Sequence, residues 1–191
     1  MPNSITKRHR MEEAAIRLFA TKGLARTVIK DIAREAGVTE GALYRHYPSK
    51  NDMAWTLFSR EVERFACALK TVIFESHGTL AEKLTCGIRF IYQYYQDHPV
   101  RFSFILLTQH GFPEERLLDE KHNPTDMVIR FIQAIIQESG HSARDSIFTA
   151  GMIIGAVLQP IIMHRYGRLK QSPLEDVHQV ITACKRLLEV T

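Results

Sequence analysis

The stretch TVIKDIAREAGVTEGALYRHYPSK, residues 27–50, decides how the fold of this chain is predicted. Its hydrophobic spacing predicts a helix, a tight turn and a second helix, and Gly37 supplies the permissive backbone that such a turn requires. Thr39 is the predicted cap of the second helix. Pro48 disfavours helical geometry in the residue before it and cannot donate a backbone hydrogen bond, so the second helix is expected to end there.

The spacing within the second helix separates a buried face from an outward face. Leu43 and Tyr47 are four residues apart, so they share the face that packs on the protein. Gly41 and Arg45 then point away from the protein, with Ala42 on the flank. Small side chains at 41 and 42 would allow the start of this helix to lie deep in the major groove of DNA.

The side chains around this outward face have the chemistry of base and phosphate contacts. Arg45 can donate two hydrogen bonds to guanine, Glu40 can accept one from cytosine, and Ala42 can touch a thymine methyl group. Other side chains offer donors to phosphate or to a base edge. The residues predicted from this chemistry to bind DNA are Lys30, Glu40, Gly41, Ala42, Tyr44, Arg45, His46 and Lys50.

The charge distribution also indicates a polyanionic partner for the amino-terminal end. Residues 1–50 contain ten Lys and Arg and five Asp and Glu, a net charge of +5, whereas residues 51–191 contain fifteen and sixteen, a net charge of −1. All of the basic excess therefore lies in the first quarter of the chain. A helix pair with a solvated basic surface is the alternative interpretation, because helix-turn-helix geometry also occurs outside DNA-binding proteins.

Composition excludes several other classes of protein. The chain has 191 residues, of which 45% are hydrophobic and 24% charged, as in an ordinary globular protein. Its three cysteines form no C-x-x-C pair, which argues against a disulfide scaffold or a zinc site and predicts a reducing, cytoplasmic location. No signal peptide, catalytic motif, metal-binding motif or phosphate-binding glycine loop is recognised, so no enzyme activity, metal or cofactor is predicted.

The rest of the chain is predicted to be helical, because apolar residues recur at three- and four-residue spacing and no segment alternates as a strand would. We therefore predict an all-α fold, with a three-helix domain over residues 1–48 and a larger helical domain over residues 49–191. The predicted helices after the motif cover about 49–74, 80–98, 102–111, 125–139, 143–166 and 172–190, with a loop at 113–125.

Residues 7–55 resemble the amino-terminal domain of the TetR family of transcriptional regulators. The matching run is IAREAGVTEGALYRHYPSK, and it is preceded by an amphipathic helix that ends in LFATKG. The resemblance implies about nine helices, of which three bind DNA and the others form a ligand-binding and dimerisation domain. It also implies a homodimer that binds a palindromic operator and is released from the DNA by a small ligand.

Site residues follow from the same resemblance. The family's recognition helix falls on residues 39–47, which adds Thr39 to the predicted DNA-binding set. Its phosphate contacts fall on Tyr44, His46 and Lys50. The family often has two hydroxyl residues before the second helix. Here only Thr27 remains, as a further predicted DNA contact, because Val28 occupies the other position.

The resemblance further implies a ligand cavity among aromatic residues of the larger domain. The residues predicted to line it are Phe90, Tyr94, Phe102 and Phe131, and their character indicates a small, largely apolar effector. Aromatic residues at helical spacing are also typical of an ordinary packed core, which is the alternative for each of them.

The last two predicted helices suggest a subunit interface. Residues 147–163 contain no charge, and this length favours a core or interface helix over a membrane span, so no membrane partner is predicted. Pairing both helices with their copies in a second chain would form a four-helix bundle. The predicted interface residues are Gly151, Gly155, Val177, Ile181, Cys184 and Leu188. Burial of both helices within one chain is the alternative.

These observations predict a ligand-responsive, dimeric DNA-binding regulator that acts as a repressor and has double-stranded operator DNA as its partner. The rival prediction is an all-α ligand-binding or scaffolding protein without specific DNA binding. A preference for particular DNA sequences would separate the two, whereas salt dependence alone would not.

Overall fold

The computed structural model describes residues 6–113, Glu115, residues 124–138 and residues 146–190. Within this part of the chain the fold is all-α, as predicted, with nine α-helices. The helices are α1 (Lys7–Lys22), α2 (Ile29–Ala36), α3 (Glu40–Tyr44), α4 (Lys50–Lys70), α5 (Leu80–Asp97), α6 (Pro99–Thr108), α7 (Pro124–Glu138), α8 (Ser146–Arg165) and α9 (Val177–Leu187). A π-helical segment, Thr71–Glu75, continues α4, and a 3₁₀ turn, Gln109–Gly111, follows α6.

Local capping interactions explain where several of these helices begin and end. Gly37 ends α2 in the left-handed conformation, with φ 67° and ψ 42°, as the turn prediction required. Ser49 caps α4, because its Oγ accepts from the amide of Asp52 at 3.1 Å and donates to that side chain at 2.7 Å. Thr79 and Glu82 form the equivalent pair at the start of α5.

Two predicted helices are longer than the observed ones, and one predicted segment lies outside the described residues. α3 ends at Tyr44 rather than near Tyr47, because the amides of residues 46 and 47 both donate to the carbonyl of Leu43 and close the last turn. α9 begins at Val177, after a series of turns that follows Ser172. Most of the loop predicted at 113–125 is outside the described residues.

The described residues group into two compact units. The first contains residues 6–63, together with α6 and the turn after it, and the second contains residues 64–97 and the described residues from 124 onward. The rings of Phe19, Phe58 and Phe104 place α1, α4 and α6 in one aromatic core, with centroid separations of 6.1 and 6.2 Å. The boundary between the units therefore differs from the predicted domain boundary after residue 48. The division of the chain into a DNA-binding domain before that boundary and a ligand-binding and dimerisation domain after it stays a prediction.

The second unit is built on α5, which packs against the π-helical segment and against α7, α8 and α9. The hydroxyl of Tyr92 on α5 donates to the carbonyl of Val157 on α8 at 2.9 Å, so a buried polar group is satisfied where these helices meet. α8 is the one described helix that is long and apolar enough to cross a membrane by length and composition. One side of α8 is buried within the unit through Ala150, Ile153, Val157 and Ile161.

Candidate DNA-binding surface

The helix-turn-helix of the first unit consists of α2, a turn at Gly37 and α3. Thr39 caps α3, since its side chain accepts from the amide of Ala42 at 3.3 Å. Leu43 and Tyr47 are buried, at 1% and 4% exposure, which confirms that they form the face packed on the protein. The apolar spacing of the sequence therefore predicted the orientation of this helix correctly.

The opposite face of α3 and the residues that follow it are open to solvent. Glu40, Gly41, Tyr44, Arg45 and His46 are exposed. A Cβ atom added at Gly41 would meet nothing within 4 Å, so the surface around this residue is unobstructed. This face carries small side chains at its start and hydrogen-bond donors farther along, as a helix in the major groove requires.

Lysines on neighbouring elements differ in how they are placed. Lys30 on α2 is exposed, and in the described part of the chain it forms no ion pair with an acid. Lys50 is half-buried, and its Nζ donates to the carbonyl of Leu24 at 2.8 Å. An ammonium group has three donors, so this bond fixes the lysine at the start of α4 and leaves capacity for an anion. By contrast, Lys22 pairs with Asp31, and its hydrogen bond lowers the pKa of that carboxyl.

Thr27 is a correction to the predicted DNA-binding set. Its side chain is fully buried, and its hydroxyl donates to the carbonyl of Gly23 at 2.8 Å and to that of Leu18 at 3.3 Å. The hydroxyl therefore stabilises the connection between α1 and α2 and is not available to a phosphate. Val28, the next residue, is 52% exposed and makes no side-chain cap on α2.

Sequence reasoning missed a polar contact behind α3. It assigned Tyr47 to packing alone, but the tyrosine hydroxyl donates to the carboxylate of Glu12 on α1 at 2.7 Å. The two residues are 35 positions apart, so no local pattern could have indicated this bond. The one indication of such a contact in the sequence was the charged Glu12 on the apolar side of α1.

The predicted effector residues lie on three helices, α5, α6 and α7. Phe90 and Tyr94 on α5 have ring centroids 5.9 Å apart, and both rings approach Phe65 of the second unit, at 6.0 and 5.1 Å. Phe131 on α7 instead contacts the ring of Phe74 edge-on, at 5.7 Å. Phe102 is buried on α6, which belongs to the first unit.

The predicted interface residues also separate into two groups. Gly151 and Gly155 on α8 are exposed, and an added Cβ atom at either would meet nothing within 4 Å. The stripe on α9 is occupied within its own chain, because its side chains are buried where α9 packs against α5 and α8. Its members are Val177, Ile181, Cys184 and Leu188, with exposures of 4%, 7%, 0% and 4%.

Comparisons with known proteins agree with the arrangement of the first unit. Residues 13–54 match the family model described as bacterial regulatory proteins, tetR family. The HTH-type transcriptional regulator SAR2658 of Staphylococcus aureus (strain MRSA252) is 30% identical over 91 residues, which are 48% of this chain and 49% of that relative. The match thus spans about half the length of that curated relative.

Solved structures are similar over almost the whole chain. The transcriptional regulator FadR from Bacillus subtilis, in complex with stearoyl-CoA, has a TM-score of 0.77 at 18% identity and covers 93% of this chain and 97% of its own. A TetR-like transcriptional regulator from Rhodococcus sp. RHA1 has a TM-score of 0.75 at 18% identity, over 99% and 97%. At these identities the likeness shows the fold. The match to the tetR family model covers residues 13–54, and the rest of the chain shares its fold with these solved regulators.

Proposed function

We propose that this protein is a dimeric, DNA-binding transcriptional repressor that a small, largely apolar effector releases from a palindromic operator. The exposed face of α3 carries the proposal. Leu43 on the opposite face is buried and fixes the helix on the protein, which leaves an open Gly41 and an exposed Arg45 toward solvent. The forked guanidinium group of Arg45, close to a glycine that leaves room for the DNA, suits guanine recognition in a major groove.

Phosphate contacts would orient this helix on the duplex. Tyr44 and His46 are exposed on the same element, and Lys30 and Lys50 lie on the helices before and after it. Such contacts are independent of sequence and position the protein, whereas the base contacts of Arg45 would select the operator. Glu40, exposed at the start of α3, would accept from a cytosine amine or stabilise the positive end of the helix dipole.

A second copy of the chain would cover the exposed side of α8. Ile147 and Phe148 are 67% and 68% exposed, and Met152 is 40% exposed, although this helix carries no charge from 147 to 163. Gly151 and Gly155 lie on the same side and would let a partner helix approach closely. This face replaces the α9 stripe in the proposed interface. Pairing through a two-fold axis would give two recognition helices and hence a palindromic operator.

The effector would bind in the second unit, where Phe90, Tyr94 and Phe131 provide apolar surface. Phe102 belongs to the first unit and is not part of this proposed site. The stearoyl-CoA bound by the FadR structure supports a long apolar ligand for a protein of this fold. Stearoyl-CoA is therefore a suitable first probe, with free coenzyme A as its control.

Selection of bound sequences from random double-stranded DNA tests the proposed function. We expect an enriched palindrome whose half-sites are separated by about one helical turn or a multiple of it. Binding without an enriched sequence would instead support a scaffolding protein with a basic surface. The selected duplex then allows the effector test, since a ligand that weakens DNA binding tenfold must itself bind the DNA complex tenfold more weakly.

A further inference from the structure

The carboxylate of Glu12 lies in the interior of the first unit, although charged side chains are seldom buried there without a role. Its side chain is 7% exposed, and both of its oxygens are engaged. Oε1 accepts from the hydroxyl of Tyr47 at 2.7 Å and from Nε of Arg8 at 2.8 Å. Oε2 accepts from Arg60 on α4 at 2.7 Å.

A second buried carboxylate extends this charged cluster to α6. Glu61, which is fully buried, lies 2.9 Å from Nη1 of Arg101 and 3.5 Å from Nε of Arg60. Arg101 also pairs with Glu13 on α1. Each of the three guanidinium groups, Arg8, Arg60 and Arg101, therefore has a carboxylate partner. The cluster joins α1, α4 and α6.

The bond from Tyr47 attaches the end of the recognition element to this cluster. α3 has five residues, too few to maintain its position through its own backbone hydrogen bonds, so its placement depends on tertiary contacts. Tyr47 is buried, and the guanidinium of Arg8 lies 5.9 Å from its ring centroid. Tyr47 directly follows Arg45 and His46, the exposed donors of the DNA-binding surface.

Ionisation of Glu12 keeps this bond in one orientation. Burial alone would raise the pKa of its carboxyl, but hydrogen bonds from Tyr47, Arg8 and Arg60 bring the pKa below its ordinary value. The ionised group can only accept, so the tyrosine must donate. A hydrogen bond to a charged acceptor is about twice as strong as one between neutral groups.

We propose that Glu12 is a positioning residue for DNA recognition: through the hydroxyl of Tyr47 it fixes the end of the α3 segment, and so the aim of Arg45 at its base. This inference rests on the proposed DNA-binding function. Glu12 itself touches no DNA in this proposal. Its effect should appear mainly in the preference for the operator over unrelated sequences, because the phosphate contacts proposed for Lys30 and Lys50 lie on other helices and do not depend on that aim.

The change Tyr47→Phe tests the inference, since it removes the hydroxyl and keeps the buried ring. We expect binding to the selected operator to weaken about tenfold, or about 1.4 kcal/mol, with little change on unrelated DNA. Glu12→Gln should act in the same direction. In the Tyr47→Phe background, Glu12→Gln should cause no further loss of operator preference, because the hydroxyl through which Glu12 acts is already absent.

Glu35→Gln is the matched control, because Glu35 pairs with Arg17 at 3.4 Å between α1 and α2 without touching Tyr47. It should leave the operator preference unchanged. Circular dichroism and the fluorescence of Trp55, the single tryptophan of the chain, verify that each variant is folded at the assay temperature.

The outcomes separate this inference from the proposed function. A selective wild-type protein with unaltered preference in Tyr47→Phe would overturn the inference alone, as would an equal loss on operator and unrelated DNA. Strictly additive losses in the double variant would also overturn it. A wild-type protein that prefers no sequence would overturn the proposed function and the inference with it.

Discussion

Replacing Thr27 by valine tests whether its hydroxyl has a structural role or a DNA-binding role. Valine has nearly the same shape, so the change removes one donor and leaves the carbonyls of Gly23 and Leu18 without it. Because Thr27 and its bond to Leu18 are buried, water cannot replace the donor at that carbonyl, and the expected loss is about 1–3 kcal/mol. In a chain of this size 1 kcal/mol lowers Tm by about 2–4 °C, so we expect a decrease of about 2–12 °C.

Thr21→Val is the control for this change. Thr21 also donates to a backbone carbonyl, that of Arg17 at 2.8 Å, but it is exposed, so water can take over the bond and Tm should hardly move. Thermal unfolding followed by circular dichroism gives both values, and DNA binding over a salt series gives the number of phosphate contacts. A Thr27→Val variant with unchanged Tm and a salt slope lower by about 0.9 per lost phosphate contact would refute the reasoning and restore the phosphate contact.

Three other changes test the remaining assignments. Arg45→Ala should cost about 1–3 kcal/mol of binding free energy on the selected operator and relax the preference at one base pair per half-site. Lys50→Ala should weaken binding to all DNA sequences alike and lower the salt slope by about 0.9 per lost phosphate contact. Phe148→Glu should yield folded monomers by light scattering, whereas Ile181→Glu should lower Tm sharply, because the first side chain is 68% exposed and the second 7%. Glu12 has a lowered pKa in the folded protein, so its contribution to stability is present above its ordinary pKa and is lost as the pH falls through the folded value. Glu12→Gln should therefore flatten the pH dependence of Tm below about pH 4.3.

The helix-turn-helix could be predicted closely because its determinants are local. Gly37 ends α2 in the left-handed conformation that its place in the turn indicated, and Ser49 caps α4 as its spacing from Asp52 indicated. The separation of Leu43 from the exposed face of α3 follows from helical periodicity alone. These features depend on residues no more than four apart, so the sequence contains the information directly.

Features that depend on distant partners could not be predicted in the same way. A hydroxyl at Thr27 is compatible with a phosphate or with a backbone carbonyl, and only the packing of α1 decides between them. The stripe from Val177 to Leu188 marks an apolar face, but periodicity does not say whether its neighbour is in the same chain. The bond between Tyr47 and Glu12 joins residues that no spacing rule relates.

If Gly41 lies against DNA as proposed, the open space around it means that folding and recognition place opposite demands on one position. Glycine is a poor helix former, so alanine there should stabilise the free protein by about 0.5–1 kcal/mol, and no neighbouring atom within 4 Å would resist a larger side chain. In the proposed complex, the requirement for glycine would then come from the bound DNA and not from the fold. Substitutions at position 41 could therefore change the operator preference, by evolution or by engineering, without destabilising the fold.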